Sequence, residues 1–195
     1  MTNDANCFAL SEAIDGAGTD ADVVFGVILG TGCGGGVVVH RSVLTGPNAI
    51  AGEWGHNPLP WPQDDERPGP ACYCGRAGCI ETFLSGPGLA ADYAKGGGDR
   101  VDALEIALRA AAGESRAQAA LDRYEDRLAR ALTTVVNLLD PDVIVLGGGL
   151  SNIDRFYVGV PPRIRPFGHE PLRTPLRKAR FGDSSGVRGA AWLWD

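Results

Sequence analysis

The sequence predicts an α/β fold, because apolar runs typical of buried strands alternate with stretches of helical periodicity. Residues 22–29 and 142–150 are rich in β-branched apolar residues, as strands covered on both faces are. Between them, residues 100–139 are alanine-rich and predict a helical region. In its second half, one apolar face recurs at steps of three and four: Leu121, Tyr124, Leu128, Leu132, Val135 and Leu139. Buried strands separated by long helices define the α/β class.

The remaining elements follow from the same periodicities and from turn residues. Asn3 or Asp4 can cap a helix over 3–16, and Pro141 ends the long helical region. Residues 57–71 are rich in proline and acidic residues, and we expect them to form an excursion without regular structure. Strands are also expected at 37–41 and 176–181, and helices at 83–94 and 182–194.

The composition fits one soluble globular unit. The chain has 195 residues, of which 44% are hydrophobic and 22% charged, and its net charge is −6. This acidic balance argues against a nucleic-acid partner, and no apolar run approaches the ~18 residues of a membrane span. The first ten residues lack the basic and apolar regions of a signal peptide. Five cysteines without such a signal indicate a cytoplasmic protein with reduced thiols, where a cysteine cluster more often binds metal than forms disulfides.

Three of the five cysteines, Cys72, Cys74 and Cys79, lie within eight residues and are interleaved with glycines. Thiolates at this spacing indicate a metal knuckle, and a closed structural zinc site needs a fourth ligand. His56 is the nearest candidate in sequence, and a site of His56 and the three cysteines would close the 57–71 excursion. The sequence therefore predicts one tightly held Zn²⁺ per chain. The full set of candidates for the fourth ligand is His40, His56, His169, Cys7 and Cys33.

Two glycine-rich loops follow predicted strands and are candidate phosphate-binding turns. Gly30, Gly32 and Gly35 fit the G-x-G-x-x-G pattern, but a strand rather than a helix follows them, which counts against a dinucleotide site. A hairpin of this kind can still hold phosphate through converging N–H groups and the hydroxyl of Thr31. Residues 147–149 are three glycines at the carboxyl end of a strand, where ligands of α/β folds bind. A plain glycine turn is the structural alternative at both places.

Two further segments carry residues that have either a chemical or a structural role. Asp4, in the first turn of a helix, is a helix cap or a general base. Glu53 and His56 stand three residues apart between glycines. Carboxylate and imidazole groups bind sugar hydroxyls through directional hydrogen bonds. A lone Glu or His is more often structural, whereas the pair in a glycine-flanked loop favours a polar ligand.

Six separated motifs resemble the ROK family of sugar kinases, and within it the bacterial fructokinase (fructo/mannokinase) branch. They are NDANCFALSEA (3–13), GTGCGGG (30–36), AGEWGHNPLPW (51–61), CYCGRAGCIETFLSGPG (72–88), DPDVIVLGGGLSN (140–152) and GDSSGVRGAAWLW (182–194). The resemblance implies an actin-like, ribonuclease-H-type ATPase fold that binds a sugar and ATP with Mg²⁺ between two lobes, with a tendency to form homodimers. The implied reaction is ATP-dependent phosphorylation of a hexose 6-hydroxyl, with D-fructose as the expected substrate.

The resemblance also implies a role for particular residues. Asp4 matches the catalytic base. The positions that match the sugar-binding residues of the family are Asn3, Asp4, Glu53, His56 and Glu81. The positions that match its structural zinc ligands are His56, Cys72, Cys74 and Cys79. The positions in its phosphate and adenosine motifs are Thr31, Gly32, Gly148 and Gly149.

The matched motifs belong to one lobe of such a kinase. The chain starts at the catalytic-base motif and has no DxGGT-type phosphate loop. We therefore expect residues 1–195 to be the C-terminal lobe, with a zinc-loop insertion at about 52–82, and to show little kinase activity alone. The alternatives are a kinase of glucose, mannose or an N-acetylhexosamine, an inactive remnant or sugar-sensing protein, and a zinc-knuckle binding module. A ROK-type transcriptional regulator would need a helix-turn-helix, and the sequence shows no such segment or basic patch.

Overall fold

The computed structural model describes residues 3–165, 172–182, 188, 189 and 191, and a five-stranded mixed sheet forms their centre. The strands are β1 (Val23–Leu29), β2 (Cys33–Val39), β3 (Ser42–Val43), β4 (Val143–Gly147) and β5 (Leu176–Lys178). Their order in the sheet is β3-β2-β1-β4-β5. β2 runs antiparallel to β1 and β3, whereas β1, β4 and β5 are parallel to one another. The predicted α/β class is confirmed.

The described residues form six α-helices, which contribute to two separate buried clusters. They are α1 (Asp4–Ile14), α2 (Ile80–Leu84), α3 (Gly86–Lys95), α4 (Ala103–Ala111), α5 (Ser115–Leu139) and α6 (Phe156–Gly159). Phe8 of α1 shares one cluster with Val24 and Val145 of the sheet. Phe25 and Val27 belong to the other cluster, together with the buried faces of α2 to α5. Neighbouring residues of β1 thus enter different cores, as the alternation of side chains along a strand requires.

The long helical region is interrupted once, and its second half is the predicted amphipathic helix. Gly113 separates α4 from α5 with a φ of 92°, a conformation that glycine adopts without strain. Burying a large apolar side chain contributes about 1.5–3 kcal/mol, so the apolar face anchors α5 in the core. Five residues of the predicted face are buried and the sixth is half-buried: Leu121, Tyr124, Leu128, Leu132 and Val135, then Leu139.

β2 begins at Cys33, earlier than the sequence predicts, because glycines hide its apolar alternation. Gly36 lies beneath α1, where an added Cβ would come 2.6 Å from a backbone carbonyl oxygen of that helix. Gly35 lies against Gly52, whose carbonyl oxygen an added Cβ would approach to 2.8 Å. Glycine inside a strand marks such a close approach of backbones. Only residues 30–32 therefore form the turn of the β1–β2 hairpin.

The other predicted elements are shorter or divided. The helix predicted at 83–94 is two helices, α2 and α3, which meet at Ser85, the N-cap of α3. The strand predicted at 176–181 is limited to β5, and most of the helix predicted at 182–194 lies outside the described residues. Within the described part of the chain, no helix is both long enough and apolar enough to cross a membrane.

The excursion predicted at 57–71 is mostly irregular, but the rest of the chain holds it at several points. It contains one turn of 3₁₀ helix, Asp64–Glu66. Isolated antiparallel bridges join Pro58 to Cys79 and Ala71 to Ala77. These bridges lie next to the cysteine cluster, so both ends of the excursion return to the same place.

Glu66 anchors the excursion on α5 through a buried ion-pair cluster. Its side chain is 4% exposed, and Arg127 Nε and Arg130 Nη2 lie 2.7 and 2.8 Å from its Oε1. Arg127 also pairs with Asp92 of α3 at 2.7 Å, and Arg130 donates to the carbonyl oxygen of Pro60 at 2.9 Å. Burial alone would raise the pKa of Glu66, but hydrogen bonds from Arg130 and Arg127 outweigh it and hold the pKa at about 2.

We expect Glu66→Gln to destabilise the chain by about 3 kcal/mol near neutral pH, because Arg127 and Arg130 each lose a buried anionic partner. The folded-state pKa of about 2 lies below the ordinary value of 4.5. The carboxylate therefore contributes its full stability above pH 4.5 and loses it as the pH falls toward 2. Urea unfolding near neutral pH and again at about pH 3 measures this, and the deficit of the variant should be smaller in acid.

Asp64→Asn is the matched control in the same turn. Asp64 pairs with Arg67 at 3.4 Å, but both side chains are exposed, and exposed ion pairs contribute little to stability. This control should unfold like the wild type at both pH values. A Glu66→Gln deficit that is absent at neutral pH, or equally large in acid, would contradict the anchoring role.

Candidate functional site

Asn3 and Asp4 begin α1, and the structure separates their tasks. Asn3 is the N-cap, because its Oδ1 accepts the backbone N–H of Asn6 at 2.8 Å. Its Nδ2 donates to Oε1 of Glu53 at 3.0 Å. Asp4 is exposed in the first helical turn, and its Oδ1 accepts the N–H of Ala5 at 2.9 Å. The capping role that the sequence leaves open between the two residues therefore belongs to Asn3.

Glu53 reaches α1 because the backbone on both sides of it packs closely on the hairpin. Gly52 has a φ of 89° and lies against Gly35 of β2. A Cβ at Gly55 would come 1.9 Å from a carbonyl oxygen of β2. Because no side chain fits at either glycine without a shift, the 3₁₀ turn Trp54–His56 is held directly on β2. This packing places Glu53 beside the start of α1.

Glu81, in the first turn of α2, holds the turn of the β1–β2 hairpin. Its Oε2 accepts the backbone N–H of Cys33 at 2.9 Å. A Cβ at Gly32 would come 2.7 Å from the same oxygen, so glycine gives the carboxylate its room. Burial raises the pKa of the Cys33 thiol, and the negative charge of Glu81 raises it further. Glu81 thus joins the cysteine-rich segment to the predicted phosphate turn.

One nitrogen and three sulfur atoms converge where the 57–71 excursion returns to the body of the chain. His56 Nδ1 is 3.5 Å from Cys72 Sγ, and Cys74 Sγ is 3.6 Å from Cys79 Sγ. The four potential ligand atoms all lie within 4.8 Å of one another. The structure therefore brings together the set that sequence spacing favours, with His56 as the fourth group. All five cysteines of the chain are free thiols.

This donor set fits a closed Zn²⁺ site. Three thiolates and one imidazole form a common structural zinc site, in which four protein ligands leave no position for water. Burial and the neighbouring thiols raise the pKa of Cys79 to about 12, whereas a backbone hydrogen bond at Arg76 lowers the pKa of Cys74. A dication among the sulfurs favours the thiolate forms, so metal binding would release protons.

Tyr73 stands on the other side of the His56 ring from the thiols. Its Oη is 2.8 Å from His56 Nε2, and the two rings meet edge-on with centroids 5.0 Å apart. Although Tyr73 is largely exposed, partial desolvation of its phenol raises its pKa, and the negative charge of Glu81 raises it further. The phenol therefore belongs to the same electrostatic environment as the predicted sugar ligands.

The two glycine-rich turns meet at one edge of the sheet. β1 and β4 are parallel neighbours, so the turns that follow them lie side by side. The carbonyl oxygen of Gly30 accepts the N–H of Gly86 at 2.7 Å, which joins the first turn to the start of α3. Gly148 has a φ of 79°, and a Cβ there would come 2.4 Å from the carbonyl oxygen of Leu29. The carboxyl edge of parallel strands is where α/β folds bind their ligands.

A cavity of about 1250 Å³ opens between these turns and helices α3 and α4. Gly30, Thr31 and Gly149 line its glycine side. Leu104 and Leu108 of α4 line it as well, although these side chains are 66% and 59% exposed. A cavity with an apolar wall and a few convergent polar groups is typical of a site for a flat, partly apolar ligand.

A second cavity, of about 520 Å³, lies between the 57–71 excursion and helices α2 and α3. Glu81 and Tyr73 line it. Thr31 also lines it, and therefore borders both cavities. Four predicted sugar-site residues lie outside these two cavities: Asn3, Asp4, Glu53 and His56.

The structure places at the site two sets of residues that the sequence motifs do not predict. Tyr73 lies between two predicted metal ligands in the sequence. An aromatic residue between two ligands is held close to the metal site, and this position could have identified it. Leu104 and Leu108 stand four residues apart on α4 and are left exposed. Two apolar residues at i and i+4 on the exposed face of a helix are neighbours on its surface. Such a pair in the sequence indicates an apolar wall, here that of the larger cavity.

The sequence is similar to that of known sugar kinases. Residues 1–195 match the ROK family. The N-acetyl-D-glucosamine kinase of Yersinia pseudotuberculosis serotype O:1b is 44% identical over 198 residues, which cover 99% of this chain and 65% of that protein. The corresponding kinase of Vibrio vulnificus is 42% identical over 99% of this chain and 65% of its own length. The chain therefore spans about two thirds of the length of these relatives.

The fold is similar to those of solved ROK proteins. The ROK hexokinase from Thermus thermophilus matches with a TM-score of 0.85 and 34% identity, over 98% of this chain and 64% of that chain. The ROK family glucokinase from Streptomyces griseus, solved in complex with glucose and AMPPNP, matches with a TM-score of 0.87 and 26% identity, over 99% and 67%. The actin-like fold implied by the sequence motifs is confirmed. Because both its full sequence and its fold match, the chain belongs to the ROK family.

Proposed function

We propose that the chain carries the sugar-binding and adenosine-binding side of an ATP-dependent sugar kinase. The position of Thr31 supports this most directly, because this residue of the hairpin turn borders both cavities. On one side lies Glu81, a predicted sugar ligand. On the other side lie Gly149 and the apolar wall of α4. A phosphoryl group that passes from nucleotide to sugar would cross at this turn.

The proposed chemistry depends on positioning and on charge neutralisation more than on covalent catalysis. The carboxylate of Asp4 accepts the proton of the sugar 6-hydroxyl as it attacks. Asn3 and Glu53, whose side chains are hydrogen-bonded to each other, bind neighbouring hydroxyls of the sugar. Backbone N–H groups of the two glycine turns bind the phosphates. Mg²⁺ that enters with ATP would supply further neutralisation of the phosphate charge.

We propose a structural Zn²⁺ at the cluster of His56, Cys72, Cys74 and Cys79. Four protein ligands leave no open coordination position, so the ion would hold structure and would not act as a Lewis acid. Its effect would be to fix His56 directly. It would also fix Glu81, which follows Cys79 by two residues and carries the hairpin turn.

The proposed substrates are hexoses and N-acetylhexosamines. The motifs at 51–61 and 72–88 resemble those of the fructokinase branch and favour D-fructose. The Yersinia relative, however, is an N-acetyl-D-glucosamine kinase, and the Streptomyces structure contains glucose. Ligand-observed NMR titration of the zinc-loaded chain with these sugars, with D-mannose and with ATP tests the proposal. Saturable binding of ATP and of at least one sugar is expected. The absence of saturable binding for ATP, or for every sugar, would contradict it.

We expect Gly149→Val to weaken ATP binding about tenfold or more without lowering the unfolding midpoint. An added Cβ at Gly149 would meet no other atom within 4 Å, so the substitution fits the fold. The new side chain would instead enter the larger cavity, which Gly149 lines. NMR titration with ATP measures the affinity, and thermal unfolding measures the stability.

Val158→Ala is the control for this substitution. Val158 lies in α6, is 79% exposed and lines neither cavity, so its truncation should leave ATP affinity unchanged. ATP affinity that stays at the wild-type value in Gly149→Val would place the nucleotide elsewhere.

A further inference from the structure

Tyr73 combines high exposure with a fixed position. The residue is 83% exposed, although an aromatic ring gains free energy from burial. Its hydroxyl nevertheless lies 2.8 Å from His56 Nε2. Its two chain neighbours, Cys72 and Cys74, both belong to the metal-ligand cluster. The backbone of Tyr73 is thus held at both ends, and the hydrogen bond between its hydroxyl and His56 holds its ring edge-on against the imidazole.

The orientation of His56 decides what the phenol hydroxyl does. Nδ1 of His56 is on the thiol side, 3.5 Å from Cys72 Sγ. With a cation on Nδ1, the proton of the neutral ring is on Nε2, and Nε2 donates to the Tyr73 hydroxyl oxygen. A sugar hydroxyl would accept the same N–H with the same geometry. Tyr73 therefore occupies the hydrogen-bond position that a sugar hydroxyl on His56 would take.

The ring of Tyr73 also forms part of a cavity wall. It lines the 520 Å³ cavity together with Glu81 and Thr31. A ligand that reaches His56 and Glu81 at once must pass beside this ring or displace it. The space left by the ring then limits the size of any substituent on that side of the ligand.

We propose that Tyr73 is a specificity-determining residue that favours unsubstituted hexoses over N-acetylhexosamines. This inference rests on the proposed sugar-binding function. A sugar that replaces the Tyr73 hydroxyl on His56 would meet the ring with any bulky substituent that it carries on that side, and an acetamido group is bulkier there than a hydroxyl. The hydroxyl keeps the His56 ring oriented until a sugar hydroxyl replaces it.

Two substitutions separate the ring from the hydroxyl. Tyr73→Ala removes the wall and should raise the affinity for N-acetyl-D-glucosamine, relative to that for the preferred hexose, by about tenfold or more. Tyr73→Phe keeps the wall and should preserve this ratio, while every sugar binds at least as tightly as to the wild type, because the phenol no longer competes with the sugar hydroxyl for His56 Nε2. NMR titrations of the zinc-loaded 195-residue chain give the affinities. Both variants should retain one zinc per chain, because neither removes a ligand.

The ratio of affinities distinguishes this proposal from the one on which it rests. If the sugars bind and Tyr73→Ala leaves the ratio unchanged, Tyr73 has no role in specificity and the sugar-binding function stands. If neither the wild type nor the variants bind any sugar, the proposed function fails and the role of Tyr73 fails with it. A merely structural role for Tyr73 would lower all affinities together without changing the ratio, and would therefore also overturn the proposal.

Discussion

Cys74→Ser is expected to leave the purified chain without bound zinc and to lower its affinity for the preferred sugar about tenfold or more. A closed zinc site needs all four protein ligands, and a neutral serine hydroxyl replaces a thiolate poorly. Cys74 is exposed, so the substitution disturbs no core packing. Without the ion, the His56 side chain would no longer be held in place. The 57–71 excursion would also lose its attachment where it returns to the body of the chain. Elemental analysis gives the zinc content, and NMR titration gives the sugar affinity.

Cys7→Ala is the control for Cys74→Ser. Cys7 is a free, buried thiol of α1 and lies outside the metal-ligand cluster. This variant should keep one zinc per chain, even where the loss of packing lowers its stability. A full complement of zinc in Cys74→Ser would contradict the assignment of the ligands. Loss of zinc without loss of sugar affinity would contradict the role of the ion in fixing the sugar side.

The metal cluster illustrates how far the site can be predicted from sequence. Three ligands lie within eight residues, so their spacing alone identifies them. The choice of His56 from five candidates depends on where the others are placed by the fold. Cys7 and Cys33 are buried in α1 and β2, and His40 is exposed beyond the end of β2. His169, the remaining candidate, lies outside the described residues.

Long periodic elements were predictable, whereas features set by glycine or by distant charges were not. The apolar face of α5 is visible because the 3.6-residue period repeats over many turns. The start of β2 is not, because Gly35 and Gly36 carry no side chains that could show an alternation. Glu66 is an acidic residue in an irregular segment, and its partner Arg127 is 61 residues away. A buried arginine requires an anionic partner, but the position of Arg127 in the sequence does not identify Glu66 as that partner.

The first turn of α1 shows the same limit at the proposed catalytic residue. Both Asn3 and Asp4 are good N-cap residues, so propensity cannot assign the cap. The cap falls to Asn3, whose amide also reaches Glu53, 50 residues away. Asp4 is left exposed beside that pair. These contacts leave the carboxylate of Asp4 exposed for the proposed chemical role, and its residue type alone does not predict that outcome.

Asp4→Asn is expected to lower kcat about 10³-fold, because the amide cannot accept the proton of the attacking hydroxyl. Its oxygen can still accept the N–H of Ala5, so the start of α1 should persist. The rate is best measured in a protein of the length of the relatives, in which the third of the Yersinia kinase that this chain does not match is supplied. The sugar KM should change little, because binding of the hydroxyl does not require its deprotonation.

Asp22→Asn is the matched control, since Asp22 is also an exposed acid, follows α1 and lies 3.5 Å from His40. Its kcat should equal that of the unsubstituted protein. If Asp4→Asn lost turnover and zinc together, the substitution would have damaged the fold, and the fall in kcat would not support Asp4 as the base. If its kcat stayed close to that of the control, Asp4 would not be the base, because general-base catalysis contributes at least about 10²-fold. A large fall in kcat with zinc content and KM preserved is the pattern expected of a group that acts only in the transition state, as a base at the reacting hydroxyl does.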